Sequence, residues 1–178
     1  MHTNPTTRFT GRTDNYKAYR PSYPLQVIEY IKSIAAPSAD VRIADLGAGT
    51  GIFSELLLQA GYSVLAVEPN TEMRQAAEEQ LQHSTNYTSI AATAEHTTIT
   101  ANSIDIITAA QAFHWFDLET IKQEFERIRK PDGSALLIWN IMRIDTAFMQ
   151  AYKTFRKQYE EDIVRPMRGD LHAISAYF

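Results

Sequence analysis

The sequence predicts a doubly wound α/β domain built on a parallel, Rossmann-like sheet, with five strands recognisable. Three observations predict it. Short apolar runs and segments of helical period alternate five times along the chain. The runs are continuously apolar rather than alternating, as strands buried on both faces of a parallel sheet are. A run of spaced glycines, Gly47-Ala48-Gly49-Thr50-Gly51, joins the first strand to the following helix. Glycine lacks Cβ, so such a turn takes positive φ and lets a ligand lie on the backbone.

The elements follow in order. Residues 1–20 are polar, punctuated by Phe9, Tyr16 and Tyr19; Pro21 and Pro24 bracket a turn, and Pro24 suits the first turn of a helix. Apolar residues at 27, 28, 31 and 34 predict that helix over Leu25–Ile34, and Pro37-Ser38-Ala39-Asp40 is a loop. Residues 41–46 form the first strand. Ile52–Ala60 is a helix with Phe53, Leu56, Leu57 and Ala60 on one side, stopped by Gly61. Ser63–Val67 is the second strand and ends at Glu68-Pro69-Asn70. Thr71–Gln82, rich in Ala, Glu and Gln, is a helix. Tyr87–Ala91 and Ile104–Ala110 are the third and fourth strands, and Leu118–Arg129 is an amphipathic helix. Lys130-Pro131-Asp132-Gly133 has the composition of a turn. Ala135–Trp139 is the fifth strand, and Thr146–Glu161 a final helix. The chain thus divides into an N-terminal segment (1–24), a Rossmann-like domain (25–140) and a helical C-terminal segment (141–178).

Composition narrows the function classes. The 178 residues are 44% hydrophobic and 21% charged, as in an ordinary globular protein. No apolar stretch approaches the roughly 18 residues of a membrane span, and the N-terminus lacks the design of a signal peptide. There are no cysteines, so neither a disulfide framework nor thiolate chemistry is available, and a cytoplasmic location is expected. The net charge of −4 is unevenly spread: residues 34–120 hold 11 acids against Arg42 and Arg74 alone. An acidic setting disfavours a phosphate ligand at the glycine turn and offers no basic face to a nucleic acid. No His, Cys and Asp cluster has metal-ligand spacing, no Gly-Lys-Ser/Thr follows the glycines, and there is no G-x-S-x-G elbow.

In a sheet of this type ligands bind beyond the carboxyl ends of the strands. That selects residues 45–51, 68–70, 91–96 and 110–117. Glu68 ends the second strand, where a carboxylate can accept hydrogen bonds from both ribose hydroxyls; it also suits a helix N-terminus. The dinucleotide pattern G-x-G-x-x-G would need a glycine at 52, which is Ile52. The glycines fall instead at 47, 49 and 51, after Asp45.

That acid-x-G-x-G-x-G pattern resembles the first motif of class I S-adenosylmethionine-dependent methyltransferases. Three further segments in the same order share the resemblance. Glu68-Pro69-Asn70-Thr71-Glu72-Met73 is similar to the family's strand-two segment. Gln111-Ala112-Phe113-His114-Trp115-Phe116-Asp117 resembles a methyltransferase-11-like, small-molecule subgroup, as does Tyr16-Lys17-Ala18-Tyr19-Arg20-Pro21-Ser22-Tyr23-Pro24. No N/D/S-P-P-Y/F motif follows the fourth strand, so methylation of nucleic-acid bases is not expected.

The resemblance implies S-adenosyl-L-methionine as cofactor and a small-molecule methyl acceptor, with neither nucleic acid nor membrane as partner. It implies that Gly47, Gly49 and Gly51 carry the cofactor, that Asp45 accepts from its ammonium and that Glu68, followed by Pro69, holds the ribose. Met73 would pack on the adenine, Ala94 and Glu95 would contact the ring, and Gln111 would lie along the methionine part. Tyr16, Tyr19 and Arg20 would belong to a lid, with Arg20 on the cofactor carboxylate. His114 is the candidate proton acceptor.

The family's sheet has seven strands, the last two after strand five, and they are not recognisable here. Strand five would then be an apolar edge, which proteins usually avoid. A truncated chain, cover by residues 163–178, or a homodimer pairing at that edge would each account for it. A non-catalytic cofactor-binding protein is the alternative function, and a nicotinamide-dependent oxidoreductase the third.

Overall fold

The computed structural model describes residues 22–140 and 143–157. The chain runs α1 (Leu25–Ile34), β1 (Arg42–Leu46), α2 (Ile52–Gln59), β2 (Ser63–Val67), α3 (Thr71–Leu81), β3 (Tyr87–Ile90), β4 (Ile104–Ala110), α4 (Leu118–Ile128), β5 (Arg129–Ile138) and α5 (Ala147–Lys157). A one-turn 3-10 helix, Phe113–Trp115, lies between β4 and α4. The chain separates into two compact units, with the break between Ile138 and Trp139. In the second unit α5 starts after Thr146, whose hydroxyl accepts from Met149 N at 3.2 Å. The predicted end of this helix, Glu161, lies outside the described residues.

In the first unit five strands form one sheet in the order β3-β2-β1-β4-β5. Every neighbouring pair is parallel. The chain builds outward from β1 to β3, then returns to place β4 on the other side of β1. The strand order therefore reverses between β1 and β4, and the carboxyl ends of those strands open a crevice.

Strand alternation explains the burial. Ile43 of β1, Val64 and Ala66 of β2, and Ile106 of β4 share one face, packed with Ile28 and Ile31 of α1 and Phe53 and Leu57 of α2. The alternate residues Ala44, Leu46, Val67, Ile107 and Ala109 have no exposed surface. The central strands are thus covered on both faces, as their mostly apolar, non-alternating sequences predict. Each such Ile, Leu or Val contributes about 1.5–3 kcal/mol on burial. Tyr62 is also fully buried, and its hydroxyl donates to Ala35 O at 2.7 Å.

The edges differ from this interior. β3 has four residues and β5 has ten, and no residue of either is fully buried. β5 departs from the sequence expectation at its start. Residues 130–133 are not a turn before the strand but a bulge within it. Ile104 pairs with Arg129 and Ile106 pairs with Ser134, so Asp105 stands opposite the four residues Lys130–Gly133. The Arg129 guanidinium fills the bulge, donating to Lys130 O (3.3 Å), Pro131 O (3.2 Å) and Gly133 O (2.7 Å). The Asp105 carboxylate accepts from Lys130 Nζ at 2.7 Å and from Arg42 N at 2.9 Å. Among the described residues, no helix is long and apolar enough to cross a membrane.

Candidate functional site

The site is built at the carboxyl ends of β1, β2 and β4. The turn after β1 is tied to β2: Gly47 N and Ala48 N both donate to Val67 O, at 2.9 and 3.1 Å. Its outer glycines are required by sterics. Gly47 has φ +70°, and a Cβ there would lie 2.6 Å from Ala112 Cβ, on the segment after β4. Gly51 has φ +81°, and a Cβ would meet Leu81 Cδ1 at 2.8 Å. The middle of the turn is different. A Cβ on Gly49 would meet nothing within 4 Å, so this stretch of backbone faces open space.

Glu68 connects the turn to β2 and β3. Its backbone N donates to Ile90 O at 3.1 Å. One carboxylate oxygen accepts from Gly49 N at 2.9 Å, the other from Asn70 N at 2.9 Å. Burial raises its pKa; the two backbone donors and Arg74 oppose that rise, and the Asp45 charge adds to it. Asn70 is the N-cap of α3, its side chain accepting from Met73 N at 3.0 Å.

Asp45 sits beneath the turn and is 1% exposed. Its carboxylate accepts from Ser54 Oγ at 2.6 Å and Thr108 Oγ1 at 3.0 Å. Burial raises its pKa from 3.8 to about 6, against the pull of those two hydroxyls. Beside it is a small cavity of about 20 Å3, enough for a single water, lined in part by Tyr23, Gly47, Thr50 and Phe53. The Tyr23 ring stands edge-on to Phe53 with centroids 4.8 Å apart.

Two buried polar atoms here have no hydrogen-bond partner in the structure, Thr50 Oγ1 and Gln111 Nε2. Gln111 also has φ +57°, rare for a residue with a side chain, while its backbone N donates to Ile138 O at 2.8 Å. An orphaned buried amide on a left-handed residue, at the crevice where strand order reverses, makes this the candidate ligand site.

The structure gathers Asp45, Gly47, Gly49, Gly51, Glu68 and Gln111 around this crevice. Pro69 follows Glu68 and is half-buried, and Met73 is 3% exposed in the first turn of α3. Ala94 is buried in the loop after β3. The Glu95 carboxylate accepts from Asp117 N at 3.0 Å, joining that loop to the start of α4. His114 lies in the 3-10 helix with its ring centroid 4.9 Å from that of Trp115. Tyr16, Tyr19 and Arg20 lie outside the described residues. Ser54 and Thr108, which hold Asp45, lie outside the segments that the sequence singles out, whereas Thr50 lies within 45–51 and Tyr23 within the Tyr16–Pro24 segment. Thr50 had one signal, its place between two glycines of the turn. Among the described residues, no group of His, Cys, Asp and Glu is arranged to hold a metal ion.

Comparisons with known proteins agree with this fold. A family model described as "Methyltransferase domain" (Methyltransf_11) matches residues 44–137. An uncharacterized methyltransferase of Mycobacterium tuberculosis is 36% identical over 132 residues, covering 74% of this chain and 51% of that protein. The chain spans about half the length of the curated relatives it first matches. A SAM-dependent methyltransferase of Aquifex aeolicus has a similar fold, with a TM-score of 0.62 and 18% identity over 76% of this chain and 77% of that one. So does Haemonchus contortus phosphoethanolamine N-methyltransferase 2, solved with S-adenosyl-L-methionine. Its TM-score is 0.64 at 19% identity, over 85% of this chain and 35% of that one.

Proposed function

From the premise that this chain belongs to the methyltransferase domain family, we propose that it binds S-adenosyl-L-methionine at the glycine turn and transfers its methyl group to a small-molecule acceptor. The observation that carries this reading is the Glu68 carboxylate. Each of its oxygens holds one backbone N–H, at 2.9 Å, and keeps a lone-pair position. Two acceptors fixed side by side suit the paired hydroxyls of a ribose. The open space over Gly49 lies next to them. Farther along the crevice, Gln111 Nε2 and Thr50 Oγ1 are polar groups in want of a partner, which suits the charged amino-acid end of the cofactor.

When bound, the cofactor supplies a methyl group on a sulfonium centre, and an acceptor lone pair takes it as the carbon–sulfur bond breaks. The protein's work is then to hold, orient and keep water out. Glu68, Gly49 and Gln111 hold; Asp45 answers the ammonium, directly or through a water in the adjoining cavity. Met73, Ala94 and Glu95 form the adenine end. His114 takes a proton from the acceptor where one must leave. Residues 1–24, with Tyr16, Tyr19 and Arg20, act in this reading as the lid, ahead of the 25–140 domain and the 141–178 helical segment. A cytoplasmic location and pairing of two chains at the β5 edge belong to the same proposal. The sequence supports the latter, because β5 is apolar from Ala135 to Ile138 and yet half-exposed.

Isothermal titration and thermal shift with S-adenosylhomocysteine, S-adenosylmethionine and NADH test this. Binding of the two sulfur nucleosides, lost in Glu68→Ala, is expected. Binding of NADH alone, or undiminished binding by Glu68→Ala, would overturn it.

A further inference from the structure

The loop between β3 and β4, residues 91–103, contains neither helix nor strand, yet it is closely held. Its main anchor is the buried side chain of Glu124, which is 5% exposed on α4. The carboxylate accepts from Thr97 N at 2.9 Å and Thr97 Oγ1 at 2.5 Å. It also accepts from Arg127 Nε and from an Arg127 terminal nitrogen, both at 2.7 Å. The second terminal nitrogen of Arg127 goes to the loop itself, donating to Ile99 O at 2.7 Å. Thr98, between these two held residues, has φ +61°. A left-handed threonine is strained and persists only where its neighbours fix it.

We infer that Glu124 and Arg127 are positioning residues for the ligand site, holding the 94–97 segment against α4 at the height a nucleobase requires. Three observations point this way. First, the loop leaves β3 beside Glu68, whose backbone N bonds Ile90 O, so it is the neighbour of a ribose held there. Second, the anchoring is doubled: Glu95 reaches Asp117 N at the start of α4, while Thr97 and Ile99 are bound three turns of helix or less farther on. Third, the buried Glu124 carboxylate and the partly exposed Arg127 guanidinium each bond the loop as well as each other, which fixes the loop's geometry against α4. Three charge-assisted bonds, from Thr97 N, Thr97 Oγ1 and Arg127, thus tie the loop to α4, and two more hold Glu124 and Arg127 against each other.

This inference rests on the cofactor reading above, and the test separates the two. The variants are Glu124→Gln, which keeps the side-chain shape, and Thr97→Val, which removes one hydroxyl and leaves the helix intact. The ligands are S-adenosylhomocysteine and S-inosylhomocysteine, which differ only in the base. Wild type is expected to prefer the adenine ligand. In each variant, affinity for it should fall by about tenfold, equivalent to about one lost hydrogen bond, while the inosine ligand is little affected and the preference collapses. Equal weakening of both ligands in both variants, or no change in either, would overturn the positioning role. Failure of wild type to bind S-adenosylhomocysteine would overturn the cofactor reading itself. A Glu124→Gln chain that does not unfold cooperatively leaves the decision to Thr97→Val.

Discussion

Asp45 gives the fold a pH dependence that one substitution should remove. An unfolded aspartate releases its proton near 3.8, and burial beneath the glycine turn moves that release to about 6 in the native state. Between those values the native protein holds a proton that the unfolded chain lacks. Raising the pH through the window therefore costs stability, and the loss is complete above about pH 6. The rise from 3.8 to about 6 corresponds to about 3 kcal/mol. Asp45→Asn retains the shape and still offers partners to Ser54 Oγ and Thr108 Oγ1, but it carries no proton to release. Urea unfolding of both proteins from about pH 4 to about pH 7.5 gives two stability curves. Their difference cancels every other titrating group to first order, including Glu68, whose raised pKa tilts both curves the same way. Relative to wild type, the variant should gain about 3 kcal/mol across the window, half of it by about pH 5. A difference that stays flat would mean that Asp45 titrates as an ordinary surface acid, and the account of a dehydrated carboxylate under the turn would be wrong.

Other outcomes follow from the same geometry. Gly47→Ala should destabilise by about 2–4 kcal/mol, the sum of positive-φ strain and collision with Ala112 Cβ. Adding Ala112→Gly should recover the collision part alone, which a double-mutant cycle in urea would show. Asn70→Ala removes the cap of α3 and should cost about 1 kcal/mol in the same assay. Burial works to raise the Glu124 pKa, but Arg127 and Thr97 outweigh it and hold the group at about 2. Its stabilisation is present above 4.5 and drains away as pH falls toward 2. Glu124→Gln should therefore flatten that acid limb, as read by circular dichroism during acid titration.

What could be read in the sequence is what the chain determines locally. The glycine turn, Glu68 and the segment at Gln111 follow strands whose sequences are mostly apolar and non-alternating, so their place at the carboxyl ends required only the right topology. The bulge at 130–133 escaped because a turn and a bulge use the same residues. Only the count on the partner strand, one residue opposite four, tells them apart. The hold of Glu124 on Thr97 escaped for another reason. Those residues are 27 apart, and no periodicity links a loop threonine to a helix glutamate. Thr50 lies within the 45–51 segment that the strand ends select, but only its burial reveals a hydroxyl without a partner.

The bulge in β5 also has an arithmetic. Along a regular strand, residues an even number apart share a face, yet Arg129 and Ser134, five apart, pair with Ile104 and Ile106 on a single face, so the bulge resets the alternation. With four residues opposite one, Leu136 and Ile138 point to the face that α1 and α2 cover. The facing of Leu136 and Ile138 is thus set by their pairing with Thr108 and Ala110, and the bulge can take up a change in residue count without turning either side chain over. A one-residue insertion at Asp132 should therefore cost the Arg129 contacts inside the bulge rather than the packing of Leu136 and Ile138.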